Sequence, residues 1–482
     1  MIERQLKEQG IHGPPYRLLY GNTKEIMKMA RETGSKPMSL SHDIMPRLNP
    51  FLHKAVMDYG KVMVIWYGTT PRVTITDPML VKEILSNKSG DFGKMEITAF
   101  AKLFLTGLAN HDGQKWAEHR RIINPAFHLE KLKLMLPAFS ISCDELIGRW
   151  EKLVELGGSC ELDVYLQFQN LTGDVISRAA FGSSFEEGRQ IFLLQKEQGE
   201  LFLRAHSINN FPWLRFLPTK VNTRMREIYR QLGVLLRGII EKRQKAIQMG
   251  NNFKDDLLSL LLESNLNDPE NKNSKNMGLT TEDVIDECKL FYLAGHETTT
   301  NLLTWTMVVL GMHPTWQARA REEVLHVLGT KKPNFDDLGH LKIVTMILHE
   351  VLRLYPPTSL LRRTHNRTKL GEIFLPSGIQ LFLPINFVHY DPEQWGEDAT
   401  EFNPERFSKG VSKASKDNSY FPFGWGPRIC IGQNFAMVEA KMALARILQH
   451  FSFELSPSYS HAPCTILTLQ PQYGAQVILH KL

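Results

Sequence analysis

Two short stretches of the chain hold residue types that chemistry requires. The run Phe421 to Phe435, FPFGWGPRICIGQNF, sets one cysteine, Cys430, among Gly424, Gly426 and Gly432. Just after it, AMVEAKMALARILQHF repeats apolar residues every three to four positions, which predicts a helix. That setting suits a thiolate. Glycines let a flat macrocycle approach the backbone and free peptide N–H groups for the sulfur, while the positive end of the following helix favours an anion. Pro427 and Arg428 fix the turn and supply a cation. The second stretch, Ala294-Gly295-His296-Glu297-Thr298-Thr299-Thr300, interrupts a long helical pattern that is apolar on both sides (Leu290, Phe291, Leu293; Leu302, Leu303, Trp305). An acid beside an alcohol is a proton relay. Threonine hydroxyls can bond back to helix carbonyls, and Gly295 opens the helix surface.

These groups need elements to carry them. The helix around Glu297 is expected to open at Thr280 or Thr281, with Glu282 and Asp283 in its first turn, and to close at Gly311 before Pro314. About thirty residues give roughly 45 Å, enough to cross a molecule of this size. VMVIWYGTTPRVTITDP, residues 62 to 78, reads as a hairpin around Gly-Thr-Thr-Pro. Residues 127 to 262 read as amphipathic helix, interrupted once by a Phe-, Trp- and Pro-rich run (Phe211, Trp213, Leu214, Phe216, Leu217) that is either a core loop or a membrane-touching lid. SNLNDPENKNSKNMG, around 264 to 278, reads as a polar surface insert. IQLFLPI is a short strand, and TILTLQPQYGAQVILHKL a C-terminal hairpin. Trp116 and Arg120, four apart, share one helical face, as do Glu350 and Arg353. Either pair alone reads equally well as an ordinary surface contact.

The spacing Phe423, Gly426, Arg428, Cys430, Gly432 resembles the haem-binding signature of the cytochrome P-450 family, and Ala294 to Thr299 resembles its A-G-x-E-T-T oxygen-activation motif. The resemblance implies one mainly α domain over residues 1 to 482, with a dozen or more helices, small β-sheets toward the N-terminal side and a C-terminal β-hairpin. It implies haem b, with the Cys430 thiolate as the axial ligand of its iron, and Phe423, Gly432, Ala294 and Gly295 against the macrocycle. Trp116, Arg120, Arg363 and Arg428 would neutralise the propionates, leaving Arg362 as a surface cation. Glu297 would act as acid and Thr298 as the hydroxyl serving dioxygen. Leu108, Phe291, Thr358, Ser359, Leu361, Ile466, Leu467 and Thr468 would face substrate. Glu350, Arg353 and Arg406 would form a buried ion network beneath the cysteine loop. The wording of LTGLA, LTGDVISRAAFGSSFEEG and ECKLFYLAGHETT further resembles the plant clan that includes secologanin synthase, which oxidises terpenoids.

Composition sets the surroundings. With 43% hydrophobic and 22% charged residues, the 482-residue chain has ample material for a core. Five cysteines without paired spacing argue against a disulfide framework, and there is no C-x-x-C-H for covalent haem attachment. A net charge of +6, dispersed along the chain, excludes a nucleic-acid binder and fits an acidic partner or a membrane surface. No run of eighteen apolar residues occurs, and the charged start before Gly13-Pro14-Pro15 reads as the remnant of a form anchored to the cytoplasmic face of the endoplasmic reticulum, soluble as this monomeric chain. With no flavin motif, electrons must come from NADPH by way of NADPH-cytochrome P-450 reductase, docking on Arg121, Lys131, Lys133 and Lys441. The reaction implied is insertion of one oxygen atom into a hydrophobic substrate. Its rivals are a haem-thiolate isomerase or dehydratase acting on a peroxide, or a haem sensor or electron carrier. Replacing Cys430 by His or Ala abolishes the red-shifted thiolate-type Soret band of the ferrous carbonyl complex if Cys430 is the ligand; the absorption spectrum of the reduced, carbonylated variant checks this.

Overall fold

The computed structural model describes residues 2–96, 101–104, 106–155, 158–183, 185–208, 219–249, 256–266 and 278–482. The aromatic run at 211–217 and most of the polar stretch at 264–278 lie outside them. The molecule is built around the helix Thr281–Met312, 32 residues long, or roughly 48 Å. Thr280 caps it reciprocally: its hydroxyl accepts from the Asp283 N–H, and the Asp283 carboxylate accepts from the Thr280 N–H. From Thr299 to Leu310 every residue is buried, so this part of the helix has no solvent face. The helices Val164–Phe181, Lys342–Leu354 and Gln433–His450 surround it.

Sheets flank this helical mass. The largest has five strands in the order Val62–Tyr67, Thr70–Ile75, Gln380–Leu383, Leu360–Thr364, Phe92–Gly93. The expected hairpin is present, but its turn is only Gly68-Thr69, and Pro71 lies within the second strand. Gln380–Leu383 pairs that strand only at Arg72–Thr74, so Pro71, which has no N–H, faces no second neighbour. Two other expectations change. Ser159–Asp163 is a strand inside the stretch read as helical, recruited by the chain's last strand, Gln476–Lys481, with Leu162 opposite Val477 and Cys160 opposite Leu479. Gln476–Lys481 also pairs with Phe451–Leu455. The C-terminal region is therefore divided: Pro463–Thr465 and Leu469–Pro471 form the hairpin, while Gln476–Lys481 belongs to another sheet.

Beneath the cysteine loop, Glu350 and Arg353 are wholly buried and joined by two bonds of 2.8 and 2.7 Å. Arg353 also donates to the carbonyls of His389, Ala399 and Glu401. Glu350 accepts from the Asn403 N–H, and Arg406 Nε lies 3.5 Å from it while the same guanidinium donates to the Trp395 and Asp398 carbonyls. The residues around 389 to 406 are thereby gathered on one ion pair. Removing one partner of such a pair leaves a buried charge uncompensated, at a cost of about 3–5 kcal/mol. Glu350→Ala is expected to lower stability by that amount, read by denaturant unfolding, and to yield protein with little bound haem.

Candidate active site

The cysteine loop hangs from that network. His389 Nε2 accepts the Phe421 N–H at 2.9 Å, and His389 Nδ1 reaches the Arg353 carbonyl at 3.1 Å. This fixes the tautomer, with the proton on Nδ1. Burial and Arg353 hold His389 down at about 3, so it stays neutral and keeps its lone pair. Gly426 opens the turn Gly426–Arg428 at φ +69°, and a Cβ there would lie 2.3 Å from the Leu85 carbonyl oxygen, so only glycine fits. The Cys430 N–H donates to the Phe423 carbonyl at 2.8 Å, fixing the hairpin of backbone that presents the sulfur.

Cys430 lies deep in the protein yet keeps exposed surface, as a residue facing an internal cavity does. Burial pushes its thiol up, opposed by the Gly432 N–H aimed at the sulfur and by the Arg120 guanidinium. A thiol so placed becomes a thiolate when a metal cation binds it. Arg120 itself donates to the Ile429 carbonyl at 2.8 Å and to Asn124 at 2.7 Å. It therefore braces the cysteine loop from the helix Gly113–Ile123.

Beside this lies a cluster of cations. Arg428 pairs with Asp112, donates to the His111 carbonyl at 2.9 Å and stacks 4.4 Å over Trp116. The Lys94 N–H donates to Asp112 at 2.9 Å. Burial together with Arg362 and Arg428 pulls the Lys94 ammonium down to about 7, and burial together with Arg428 pulls Arg362 to about 10. Lys94, Arg362 and Arg428 thus gather around one carboxylate, Asp112, and the first two are depressed by their cationic neighbours. A dianionic ligand would relieve that repulsion, and the two propionates of a haem are such a ligand.

This arrangement corrects the assignment of two arginines. Along Leu360–Thr364 successive side chains alternate between faces. Arg362 is 4% exposed and shares its face with Leu360, whose Cδ1 lies 4.0 Å from where a Gly424 Cβ would stand, against the cysteine loop. Leu361 and Arg363 take the other face. Leu361 is 37% exposed, and Arg363 pairs outward with the exposed Glu96. The buried cation on the cysteine-loop face is Arg362, not Arg363, and Leu361 lies on the face turned away from that loop. Lys94 and Asp112 carried no signal in the sequence. For Arg362 the signal was strand parity, which the Leu-Leu-Arg-Arg doublets conceal.

On the long helix, Ala294 is exposed although the helix beyond it is buried, so it too opens to the interior cavity. One turn on, Thr298 Oγ1 donates to the Ala294 carbonyl at 2.6 Å. Gly295 faces elsewhere: a Cβ on it would lie 2.7 Å from Ile176 Cδ1, so the glycine admits the neighbouring helix and does not open the cavity. The Glu297 carboxyl is raised by burial and accepts from Thr468 Oγ1 at 2.9 Å. Glu297 and Thr298, adjacent in sequence, are thus held by different partners. Asn301 binds both the Glu297 carbonyl and Thr468, the Trp305 indole donates to the Leu469 carbonyl, and the Leu469 N–H donates to the Pro357 carbonyl. These bonds bring Thr358, Ser359, Ile466, Leu467 and Thr468 beside the helix. Leu467 lies against Gly199 of the helix Phe185–Ile208. Two expected substrate contacts are not brought there. Phe291 is stacked 5.3 Å from Phe127 in an aromatic group that includes Phe435, and Leu108 is buried in the core with its N–H bound to Glu287. Among the cations expected to meet a reductase, Arg121 and Lys133 are exposed and Lys131 half-buried, but Lys441 is drawn inward, with Nζ donating to the Leu338 carbonyl at 3.3 Å.

A cysteine presented to the interior beside a cation cluster, on a mainly helical fold, fits a haem-thiolate enzyme, and comparison supplies the family. The sequence matches the Cytochrome P450 family over residues 43–479, and the chain belongs to that family as a monooxygenase. It is 60% identical to Cytochrome P450 CYP72A616 of Paris polyphylla over 484 aligned residues, covering 100% of this chain and 93% of that protein. It is 54% identical to the 11-oxo-beta-amyrin 30-oxidase of Glycyrrhiza uralensis, again over 100% of this chain and 93% of the relative. Arg362→Leu is expected to weaken haem retention by about 2–5 kcal/mol, the cost of truncating one partner of a buried charge pair. Arg363→Leu leaves it near wild type. Haem content on purification and the rate of haem transfer to an apoglobin measure both.

Proposed function

We propose that this monooxygenase oxidises a C–H bond of a terpenoid of triterpenoid size, with O₂ and electrons relayed from NADPH by a separate reductase at the endoplasmic reticulum membrane. The observation that carries the chemistry is the notch at Ala294–Thr298, where a hydroxyl and an open alanine interrupt a buried helix. The substrate class is supported by relatives 53–60% identical along the whole chain, two of them named as 11-oxo-beta-amyrin 30-oxidases. No helix among the described residues is long and apolar enough to cross a membrane.

Cys430 Sγ would hold the iron of haem b, tuned by the Gly432 N–H and Arg120. Arg362, Arg428, Lys94 and Trp116 would hold the propionates and so fix the macrocycle's rotation. When bound, the haem supplies the oxygen chemistry itself. Thr298 Oγ1 holds a proton at the cavity wall, parked on the Ala294 carbonyl. Glu297, raised by burial, keeps its proton to higher pH than an ordinary carboxyl, and Thr468 Oγ1 at 2.9 Å keeps the group oriented. Ile466 and Leu467 supply apolar surface that excludes water and positions the substrate.

A ligand-induced spectral screen over diterpenoids, triterpenoids and iridoids tests the substrate class, and triterpenoids of the beta-amyrin type are expected to shift the Soret band of the haem-loaded protein. Turnover of a responding compound then tests the relay. Thr298→Ala keeps consuming NADPH but diverts it to peroxide. A wild-type ratio of product to NADPH in that variant, or a screen in which no triterpenoid responds, would overturn the corresponding part of the reading.

A further inference from the structure

Where the long helix begins, it meets the helix Gly113–Ile123 through a group of side chains that the oxidation does not use. His111 and His119 face each other edge to face, with ring centroids 4.4 Å apart. Asp283 and Glu287, one turn apart on the long helix, point at them. Donor atoms of His111, His119 and Asp283 all lie within 4.8 Å of one another.

The hydrogen bonding sorts these groups into roles. His119 Nδ1 is 2.6 Å from Glu287 Oε1, in a carboxyl–imidazole pair that is 0% and 4% exposed. A contact that short to a carboxylate places the proton on Nδ1. His119 Nε2, the ring nitrogen that Glu287 leaves open, lies 3.7 Å from Asp283 Oδ1. The third group, His111 Nε2, is buried without a hydrogen-bond partner and lies 3.8 Å from Glu287 Oε1. Ligands of a tetrahedral zinc, at about 2.0–2.2 Å from the metal, stand roughly 3.4 Å apart, so sub-ångström side-chain shifts would close the set.

We propose that His111 Nε2, His119 Nε2 and Asp283 Oδ1 form a binding site for a borderline divalent cation of the zinc type, with Glu287 orienting His119 and water completing four ligands. A carboxylate behind a ligating imidazole is the support such sites use. The remaining charge nearby is Lys115, whose Nζ lies 2.7 Å from Asp283 Oδ1 and whose side chain is 53% exposed. It competes with the metal for the same oxygen and can swing into solvent. The other oxygen, Asp283 Oδ2, is engaged by Thr280 in the helix cap, so ligation through Oδ1 leaves the cap intact. An ion here would clamp the start of the long helix to the helix of Trp116 and Arg120. The neighbouring Asp112 pairs with Arg428, so the clamp would also stiffen the cation cluster.

The test is zinc titration of the haem-loaded enzyme after chelator treatment and desalting, by calorimetry and by metal analysis of the desalted complex. One equivalent is expected, with a raised thermal midpoint. Glu287→Gln is expected to weaken binding about 10–100-fold, and His111→Gln to abolish it. Should either buried variant fail to fold, Lys115→Met decides, since this exposed side chain is not needed for folding and its removal frees Asp283 and tightens binding. Absence of saturable binding would overturn the site. Binding unchanged in His111→Gln, or not tightened in Lys115→Met, would place the zinc elsewhere and overturn it equally.

Discussion

Arg353 is the fixed point of the molecule. All five of its N–H donors are used, two on Glu350 and three on the carbonyls of His389, Ala399 and Glu401, and no part of it reaches solvent. A buried ion pair is poor evidence of stability in itself, because desolvation offsets most of the attraction. What it supplies here is position. The carbonyls that Arg353 gathers come from a stretch with little regular structure, which has few other means of holding a single shape. One of them belongs to His389, whose ring receives the Phe421 N–H and so anchors the loop that ends in Cys430. The sulfur's place is thus set through hydrogen bonds from a charge that never touches it.

The long helix shows how one run of identical side chains serves different ends. Thr298, Thr299 and Thr300 are consecutive, so they point roughly 100° apart around the axis. Thr298 bonds back to Ala294 at the cavity. Thr300 meets Thr172 of the adjacent helix at 2.7 Å. Thr299, 2% exposed, lies toward Glu439, a carboxyl buried in the helix that follows Cys430 and raised well above its usual range by that burial. A stretch that reads as three equivalent hydroxyls is one group at the cavity and two that join helices.

Much of this was legible because the informative features are local. The cap at Thr280, the glycine turn before Cys430 and the Glu350–Arg353 spacing each depend on residues a few positions apart, and the structure contains all three. What the sequence concealed depends on parity or on distant partners. Arg362 and Arg363 differ by one step along a strand, and only register decides which faces inward. Phe291 follows the apolar pattern of a cavity-facing residue, yet Phe127 on another element claims it. Lys94 stands in a segment with no periodicity, and its importance comes wholly from Asp112, Arg362 and Arg428 meeting it in space. Ser159–Asp163 is too short and too polar to declare itself a strand without its partner.

That partner bears on how the chain reaches its final form. The Ala475 N–H donates to Asp163, 312 positions earlier, and the strand after it closes the sheet that begins at Ser159. The same C-terminal region supplies Thr468 to Glu297 and Leu469 to Trp305. Pairings of such long sequence separation form late, because the loop must close before any contact rewards it. During synthesis, the helices of the first two thirds can assemble while the cavity still lacks one wall, and the polar side of the long helix waits for the end of the chain. The wall that Thr468 and Leu469 supply is therefore among the last parts of the cavity to close.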